Sequence, residues 1–376
     1  MAPMAMMSLC LPPGDAYMKI VQKGEDAANA PSIRVFHQAF VGGCYIGFGG
    51  LLSMVIGGQI PSADPGTQSF VFAALFPVNL LLILLTGASL FTGNTAAMPA
   101  AVFEGKANWF HAIKVLAVSW IGNFLAAAMF AGLTEYAELC PTDYASGTGC
   151  GLLAAKVVQK KVSKDFGKTL VKGIMCNWMV CMAVFLSSQA QDMAGKMVGI
   201  WFPISAFVAM GMEHSVANMF MLPLGLICGS HLPSQGGEFD VTFGEALYKN
   251  MLPVSLGNFI AGAVCVAASY SYAFGKLGKT GCGVRDKCGC FSEGCCCCAP
   301  MTNLFAKNAA KHNPNLDSSL YTPTANSTPG ASLDTSTNPS PIPSRRGVPG
   351  VTGATPPTNA ILFRRDTSLV NDGSAV

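Results

Sequence analysis

Six long apolar segments limit what this chain can fold into. A helix that crosses the hydrocarbon core of a bilayer needs about 20 predominantly apolar residues. Six segments reach that length, at about residues 35–60, 68–97, 110–134, 168–190, 197–228 and 250–274. Only 11% of the residues are charged, whereas soluble domains have about 25%. The sequence therefore predicts an all-α polytopic membrane protein with six transmembrane helices.

The distribution of lysine and arginine predicts how these helices are oriented. Basic residues precede the first segment and follow the second, fourth and sixth segments, whereas the loop from Gln59 to Gln68 has none. Because cytosolic loops are enriched in such residues, we expect both termini to lie in the cytosol. We expect an integral protein of the plasma membrane.

The loop between the third and fourth segments departs from this rule. It should lie outside the cytosol, yet it contains six lysines: Lys156, Lys160, Lys161, Lys164, Lys168 and Lys172. Two interpretations remain open, an amphipathic interfacial helix with a solvated basic face and an entrance that concentrates an anion. The same loop carries Cys140 and Cys150, which are placed to form a disulfide outside the cytosol.

Two of the apolar segments are interrupted by polar and glycine-containing sequence. The second contains Gly87-Ala-Ser-Leu-Phe-Thr-Gly-Asn-Thr95, and the fifth contains Gly211-Met-Glu-His-Ser-Val-Ala-Asn218. The third and sixth segments share a Gly-Asn pair, at Gly122-Asn123 and Gly257-Asn258. Because each half has three spans, such a repeat inverts the second half, a plan that many transporters use to build a midplane site from broken helices. The sequence predicts a 3+3 inverted repeat with broken helices 2 and 5.

The second interruption places Glu213 and His214 inside an otherwise apolar span. An ionisable residue near the bilayer centre is costly and normally faces the bundle interior or a water-filled path. Histidine can exchange a proton near neutral pH, so we favour a functional role for His214 over that of a buried structural histidine. We expect Glu213, Asn94 and Asn218 to tune the pore through charge and hydrogen bonds. Asn177, in the fourth span, either bonds a neighbouring helix or lines the pore, and we favour the pore.

The chain divides into four predicted regions. They are a cytosolic N-terminal segment at 1–33, a six-helix transporter domain at 34–275, a juxtamembrane Cys-rich segment at 276–298 and a disordered cytosolic tail at 299–376. A juxtamembrane cluster of cysteines is typical of reversible palmitoylation, and its spacing suits a zinc site less well. The predicted palmitoylation sites are Cys295, Cys296, Cys297 and Cys298.

Other functions find little support in the composition. A formal net charge of +3 without a dense basic stripe excludes a nucleic-acid partner. No second acidic or histidine cluster, metal-ligand spacing or activated nucleophile accompanies Glu213 and His214. We therefore expect no enzyme activity, no metal and no cofactor.

Four motifs follow one another along the chain: Leu90-Phe-Thr-Gly-Asn-Thr95, Cys176-Asn-Trp-Met-Val-Cys181, Gly211-Met-Glu-His-Ser-Val-Ala-Asn-Met219 and Leu252-Pro-Val-Ser-Leu-Gly-Asn258. In these motifs the chain resembles the formate/nitrite transporter family. The resemblance covers about residues 17–275 and implies an aquaporin-like inverted repeat, one pore in each protomer and a homopentamer embedded in membrane lipid.

The resemblance also implies roles for individual residues. It assigns His214, Thr92 and Asn177 to the central pore and proton relay, and Lys161 to the outer vestibule. It implies two apolar constrictions, formed by Phe76, Leu80, Phe91, Val180 and Phe207, which composition alone identifies only as packing residues. Two departures from the family pattern, Ser89 for an acid and Ala27 for a lysine that Lys23 approaches, predict weaker attraction of anions at the second vestibule.

The function implied is transport of small monocarboxylates such as formate, lactate, pyruvate or acetate together with a proton. The anion is gathered in a basic vestibule and crosses the apolar constrictions as the neutral acid, since a bare anion loses its hydration there at large cost. The alternative is a formate or nitrite anion channel in which His214 stays protonated. A neutral-solute pore of the aquaporin type is disfavoured because neither interruption contains Asn-Pro-Ala.

Overall fold

A computed structural model describes residues 9–61, 63–143, 148–231 and 239–280 of the chain. The chain divides into two units, Met1–Glu293 and Gly294–Val376. The second unit, with the predicted palmitoylation sites and tail, lies outside the described residues. Almost all of the described part of the first unit is helical.

The helices follow one another with short connections. In chain order they are α1 Pro13–Asn29, α2 Ser32–Gly58, α3 Pro65–Leu75, α4 Val78–Thr86, α5 Phe91–Phe103, α6 Trp109–Tyr136, α7 Cys150–Val162, α8 Phe166–Gln189, α9 Met193–Ala209, α10 Ser215–Ser230, α11 Phe243–Phe274 and α12 Lys276–Thr280. Two segments of α11 are π-helical, Ala246–Met251 and Ala261–Ala268. Between α6 and α7, β1 (Thr142–Asp143) pairs antiparallel with β2 (Thr148–Gly149).

Five helical stretches of the described residues are long and apolar enough to cross a membrane. They are α2, α3 with α4, α6, α8 and α11. At the fifth predicted segment, about 197–228, the chain forms two shorter apolar helices, α9 and α10, one on each side of the interruption expected from the sequence. The chain is thus an integral membrane protein.

Two non-helical segments separate α4 from α5 and α9 from α10, at residues 87–90 and 210–214. Each contains a glycine in the left-handed region near its start, Gly87 with φ 80° and Gly211 with φ 66°. Glycine adopts this conformation without the steric cost of a Cβ atom, so both helices end where the sequence supplies a glycine. His214 then serves as the N-cap of α10.

A fully buried asparagine from a later helix forms hydrogen bonds with the backbone of each non-helical segment or of the residue after it. We call Asn123 and Asn258 the asparagine clamps. Asn123 of α6 accepts a hydrogen bond from the Phe91 amide at 2.8 Å and donates to the Ser89 carbonyl at 3.0 Å. Asn258 of α11 accepts from the Ser215 amide at 2.9 Å and donates to the Glu213 carbonyl at 3.2 Å. The two breaks are therefore held by the same set of hydrogen bonds.

The glycine before each asparagine lets the helix that carries the asparagine pack closely against a neighbouring helix. A Cβ atom on Gly122 would lie 2.9 Å from the Cβ of Ala39, in α2, and one on Gly257 would lie 3.0 Å from the amide nitrogen of Ile174, in α8. Real Cβ contacts are longer than this because atoms in protein interiors are close-packed without overlap. The Gly-Asn pair thus combines close helix approach with a polar clamp.

The predicted disulfide between Cys140 and Cys150 is confirmed. It joins the connection after α6 to the first residue of α7. A Cβ atom on Gly58, at the end of α2, would lie 2.7 Å from the Cys150 amide nitrogen. The N-terminus of α7 is therefore fixed by a covalent link and by close packing.

Candidate functional site

His214 lies at the start of α10 and is 4% exposed. Its Nδ1 accepts a hydrogen bond from the Ala217 amide at 3.1 Å, and its Nε2 lies 3.0 Å from the hydroxyl oxygen of Thr92. Because Nδ1 is an acceptor, a neutral ring carries its proton on Nε2, which donates to Thr92. The helix cap therefore fixes the tautomer, and an imidazolium would place two N–H groups against each other.

Thr92 belongs to a second group of buried polar side chains around Asn177. The amide of Asn177 donates to the Thr95 hydroxyl at 2.8 Å and to the Asn258 carbonyl at 2.6 Å, and it lies 3.4 Å from the Thr92 carbonyl. Asn177 thus connects α8 with α5 and α11, as expected of an interhelical hydrogen bond. Its contact with Thr92 connects it to the histidine.

Glu213 is 1% exposed and is surrounded by cations and amides. One carboxylate oxygen lies 2.7 Å from Nζ of Lys161, and the other lies 3.6 Å from Nζ of Lys164. Asn218 and Asn250 donate to the first oxygen at 2.9 Å and 3.3 Å. The buried carboxylate is thus paired and hydrogen-bonded, the condition under which a buried charge is tolerated.

A cavity of about 260 Å³, here called cavity A, lies against this group. His214 and Glu213 line its inner part, and its other lining residues include Lys160, Lys161, Lys164, Phe72, Phe76, Phe207 and Asn218. The Phe207 ring lies 5.8 Å from the His214 ring, centroid to centroid. Cavity A therefore brings the predicted histidine, the predicted vestibule lysine and two predicted constriction residues to one place.

A second cavity of about 320 Å³, here called cavity B, lies at the other end of α4 and α9. Its lining includes three lysines and two serines, which are Lys19, Lys23, Lys196, Ser187 and Ser188. A narrow gap of about 10 Å³ is lined by Lys23, Leu80, Ile83, Leu84, Leu90, Gly93, Val180 and Val184. Three of these, Lys23, Leu84 and Val184, also line cavity B, so the gap adjoins that cavity.

The predicted constriction residues are divided between these spaces. Phe76 and Phe207 line cavity A, whereas Leu80 and Val180 line the gap beside cavity B. Phe91 is buried beside the first break and is 7% exposed. Apolar side chains therefore occur on the inner side of both cavities.

Lys23 bears on one expectation from the sequence. The departure at Ala27 predicted weak attraction of anions at the second vestibule, but Lys23 lies one helical turn earlier on the same face of α1 and lines cavity B. Sequence reasoning noticed this residue without placing it. It also missed Asn250, whose only sequence signal is an amide at the start of an apolar span, and the clamping role of Asn123 and Asn258.

Two of the cavity lysines lie outside the membrane-spanning helices and have shifted pKa values. Burial lowers the pKa of Lys164, while the nearby Glu213 carboxylate raises it and neighbouring lysines lower it further. Burial also lowers the pKa of Lys23. A lowered lysine pKa means that the surroundings stabilise the ammonium form poorly, so an anion bound beside the amine would favour its charged form.

Comparison with known proteins identifies relatives of this chain. A model of the formate/nitrite transporter family matches residues 14–272. The chain is 37% identical over 262 residues to a probable formate transporter of Methanothermobacter thermautotrophicus, covering 66% of this chain and 91% of that protein. It is 36% identical over 251 residues to a formate-nitrite transporter of Entamoeba histolytica, covering 66% and 67%. A solved structure of a pentameric formate channel with formate bound matches with a TM-score of 0.57 and 25% identity, covering 65% of this chain and 97% of that one.

Proposed function

This chain belongs to the formate/nitrite transporter family, and we propose that it moves small monocarboxylates, formate and lactate among them, together with a proton. Formate is favoured as a substrate by the Methanothermobacter relative, a probable formate transporter, and by the solved channel, which has formate bound. Lactate, pyruvate and acetate extend that proposal on chemical grounds, because they share the carboxylate and its need for a proton in an apolar passage.

The proposed assembly is a homopentamer with one pore in each protomer. Its six spans are α2, α3 to α5, α6, α8, α9 with α10, and α11, arranged as a 3+3 inverted repeat in which spans 2 and 5 are broken. The shared Asn123 and Asn258 clamps support the repeat. The solved formate channel is pentameric, which supports five copies. We also propose cytosolic termini, a plasma-membrane location and the domain limits predicted above.

The proposed path runs from cavity A to cavity B past the apolar side chains between them. A carboxylate that enters either cavity meets lysines, which raise its local concentration. It cannot keep its charge beyond them, because transfer of an ion from water to an apolar passage is far more costly than transfer of the neutral acid. Entry into a less polar environment raises the pKa of the carboxylate, and protonation lets the acid cross.

The Nδ1 atom of His214 supports proton coupling over an anion channel. An anion channel of the alternative kind needs an imidazolium, but the Ala217 amide donates to Nδ1 at 3.1 Å and leaves no room for a second proton. The neutral ring presents its Nε2–H to Thr92 and to whatever occupies the pore. In this mechanism water in the cavity supplies the proton, and His214 and Thr92 bind the carboxyl group by hydrogen bonds.

Transport across a pH series tests the proposal. Labelled formate, lactate and nitrite are followed into proteoliposomes while internal pH is recorded. Symport predicts electroneutral uptake that rises as external pH falls and acidifies the interior. Current without proton uptake would instead establish the anion channel.

Substitution of the histidine tests its role in the same assay. Asparagine is a good N-cap, so His214→Asn keeps the start of α10 while removing the Nε2–H. We expect acid-driven lactate uptake to fall well below the wild-type rate, and uptake at the wild-type rate would refute a role for the ring. His37, which is exposed on α2, provides the matched control His37→Asn.

A further inference from the structure

Cavity B differs from cavity A in how its charge is balanced. Cavity A contains the Glu213 carboxylate, which pairs with Lys161 and Lys164. Among the described residues, the lining of cavity B contains Lys19, Lys23 and Lys196 and no acidic residue. Within the same part of the chain, none of these three lysines makes an ion pair. Three like charges therefore face one space whose described lining supplies no counter-charge.

The three lysines come from two helices, α1 and α9, which both line cavity B. Lys19 and Lys23 are one turn apart on α1, and Lys196 lies in the first turn of α9. Lys19 is exposed at the rim, whereas Lys23 and Lys196 are half-buried. Buried or half-buried like charges repel one another more strongly than solvated ones, because the surrounding dielectric is lower. A bound anion relieves this repulsion in proportion to its own charge.

We propose that cavity B is a binding site for small divalent oxyanions, such as a short dicarboxylate or sulfate. A monocarboxylate neutralises one of the three lysines, whereas a dianion neutralises two. The Ser187 and Ser188 hydroxyl groups share the lining but donate to the Val184 carbonyl, so the lysines are the donors for the anion. A volume of about 320 Å³ equals roughly ten water molecules at about 30 Å³ each, so a small dianion fits with water around it.

A dianion in this site also blocks the pore, a consequence that rests on the proposed function. The gap next to cavity B is apolar apart from Lys23. Formate needs one proton to cross such a gap, whereas a dianion needs two, and the doubly protonated form is negligible at neutral pH. The dianion therefore occupies the cavity without passing and competes with the transported monocarboxylate.

Direct binding tests the site independently of transport. Oxalate, sulfate and formate are titrated calorimetrically into purified full-length protein at pH 7.5 and fixed ionic strength. We expect oxalate or sulfate to bind at least tenfold more tightly than formate. Removal of a lysine charge in Lys23→Met or Lys196→Met should weaken dianion binding by about fivefold or more, and Lys23→Arg should retain it. Lys249→Met, at an exposed position that lines neither cavity, should leave the affinity unchanged.

The outcomes separate this inference from the proposed function. Dianion affinity equal to that of formate, or unchanged in a variant that lacks all three cavity B lysines, overturns the site. Loss of binding in Lys23→Met together with retention in Lys23→Arg excludes misfolding as the cause. Formate uptake that proceeds unaffected by saturating oxalate on both faces overturns the blocking role. Tight, lysine-dependent dianion binding in a protein that transports no formate would sustain the site and refute the transport proposal.

Discussion

The ion pair between Lys161 and Glu213 gives the sharpest quantitative prediction. The Glu213 side chain is 2% exposed and that of Lys161 is 13% exposed, with 2.7 Å between the charged atoms. Removal of one partner from a buried pair typically costs about 3–5 kcal/mol. Water reaches part of the lysine, so we expect Glu213→Gln or Lys161→Met to lower the free energy of unfolding by about 2–4 kcal/mol.

The double variant separates the pair from its surroundings. If the two charges stabilise each other, Glu213→Gln combined with Lys161→Met should cost less than the sum of the single variants, with a coupling energy of about 1.5–3 kcal/mol. Lys160 lines the same cavity and, in the described part of the chain, forms no ion pair, so Lys160→Met is the matched control and should show little coupling to Glu213.

Equilibrium unfolding of the four proteins in mixed detergent micelles measures this coupling. The slopes of the unfolding curves must agree among the variants, because a changed slope reports a change in the exposed surface rather than in stability. Additivity within about 0.5 kcal/mol would show that the short contact does not stabilise the fold. Coupling of equal size between Lys160 and Glu213 would show that Glu213 interacts with the summed charge of the cavity lysines rather than with Lys161 in particular.

Three further perturbations follow from the geometry of the two breaks and of α7. Thr92→Val removes the acceptor of the buried His214 Nε2–H, and we expect a loss of about 1–3 kcal/mol with slower formate uptake, measured by unfolding and by proteoliposome assay. Gly87→Ala should lower the free energy of unfolding by about 1–2 kcal/mol, because residue 87 has a positive φ. Gly93→Ala lies in helix α5 with nothing within 4 Å of the added Cβ, so it should raise the free energy of unfolding by about 0.8–1 kcal/mol. Equal effects of the two substitutions would refute the assigned backbone conformation. Replacement of Cys140 and Cys150 by serine should cost about 2–4 kcal/mol and raise the half-saturating formate concentration, since α7 positions Lys161; an unchanged half-saturation would separate the disulfide from the vestibule.

The apolar segments and their interruptions could be predicted because both signals are local. A run of about 20 apolar residues determines a membrane helix by its own length, and a glycine at the end of a helix permits the left-handed conformation found at Gly87 and Gly211. The division of the fifth span into α9 and α10 follows from the same glycine.

The partners of the charged residues could not be predicted in this way. Lys161 and Glu213 are 52 positions apart in the chain, and nothing local distinguishes Lys161 from the other five lysines of its loop. The family resemblance selected it, whereas the helical register of α7 and its packing on α10 determine the contact. The placement of Lys23 depends likewise on how α1 packs. The two asparagine clamps could have been predicted from the sequence, because a buried asparagine requires hydrogen-bond partners and the repeated Gly-Asn pair marks both of them.

The two non-helical segments share a hydrogen-bonding pattern but differ in the charge of one residue. Ser89 and Glu213 each lie five residues before an asparagine that donates to them, Asn94 at 3.0 Å and Asn218 at 2.9 Å. The carboxylate of Glu213 pairs with two lysines at cavity A. Ser89 is neutral, and the lining of cavity B, which includes Lys23, contains no carboxylate among the described residues. An anion entering cavity A must therefore compete with Glu213 for Lys161, and an anion entering cavity B meets no such competitor in that lining. It follows that the two cavities should bind the same monocarboxylate with different affinities, and that binding should be tighter in cavity B.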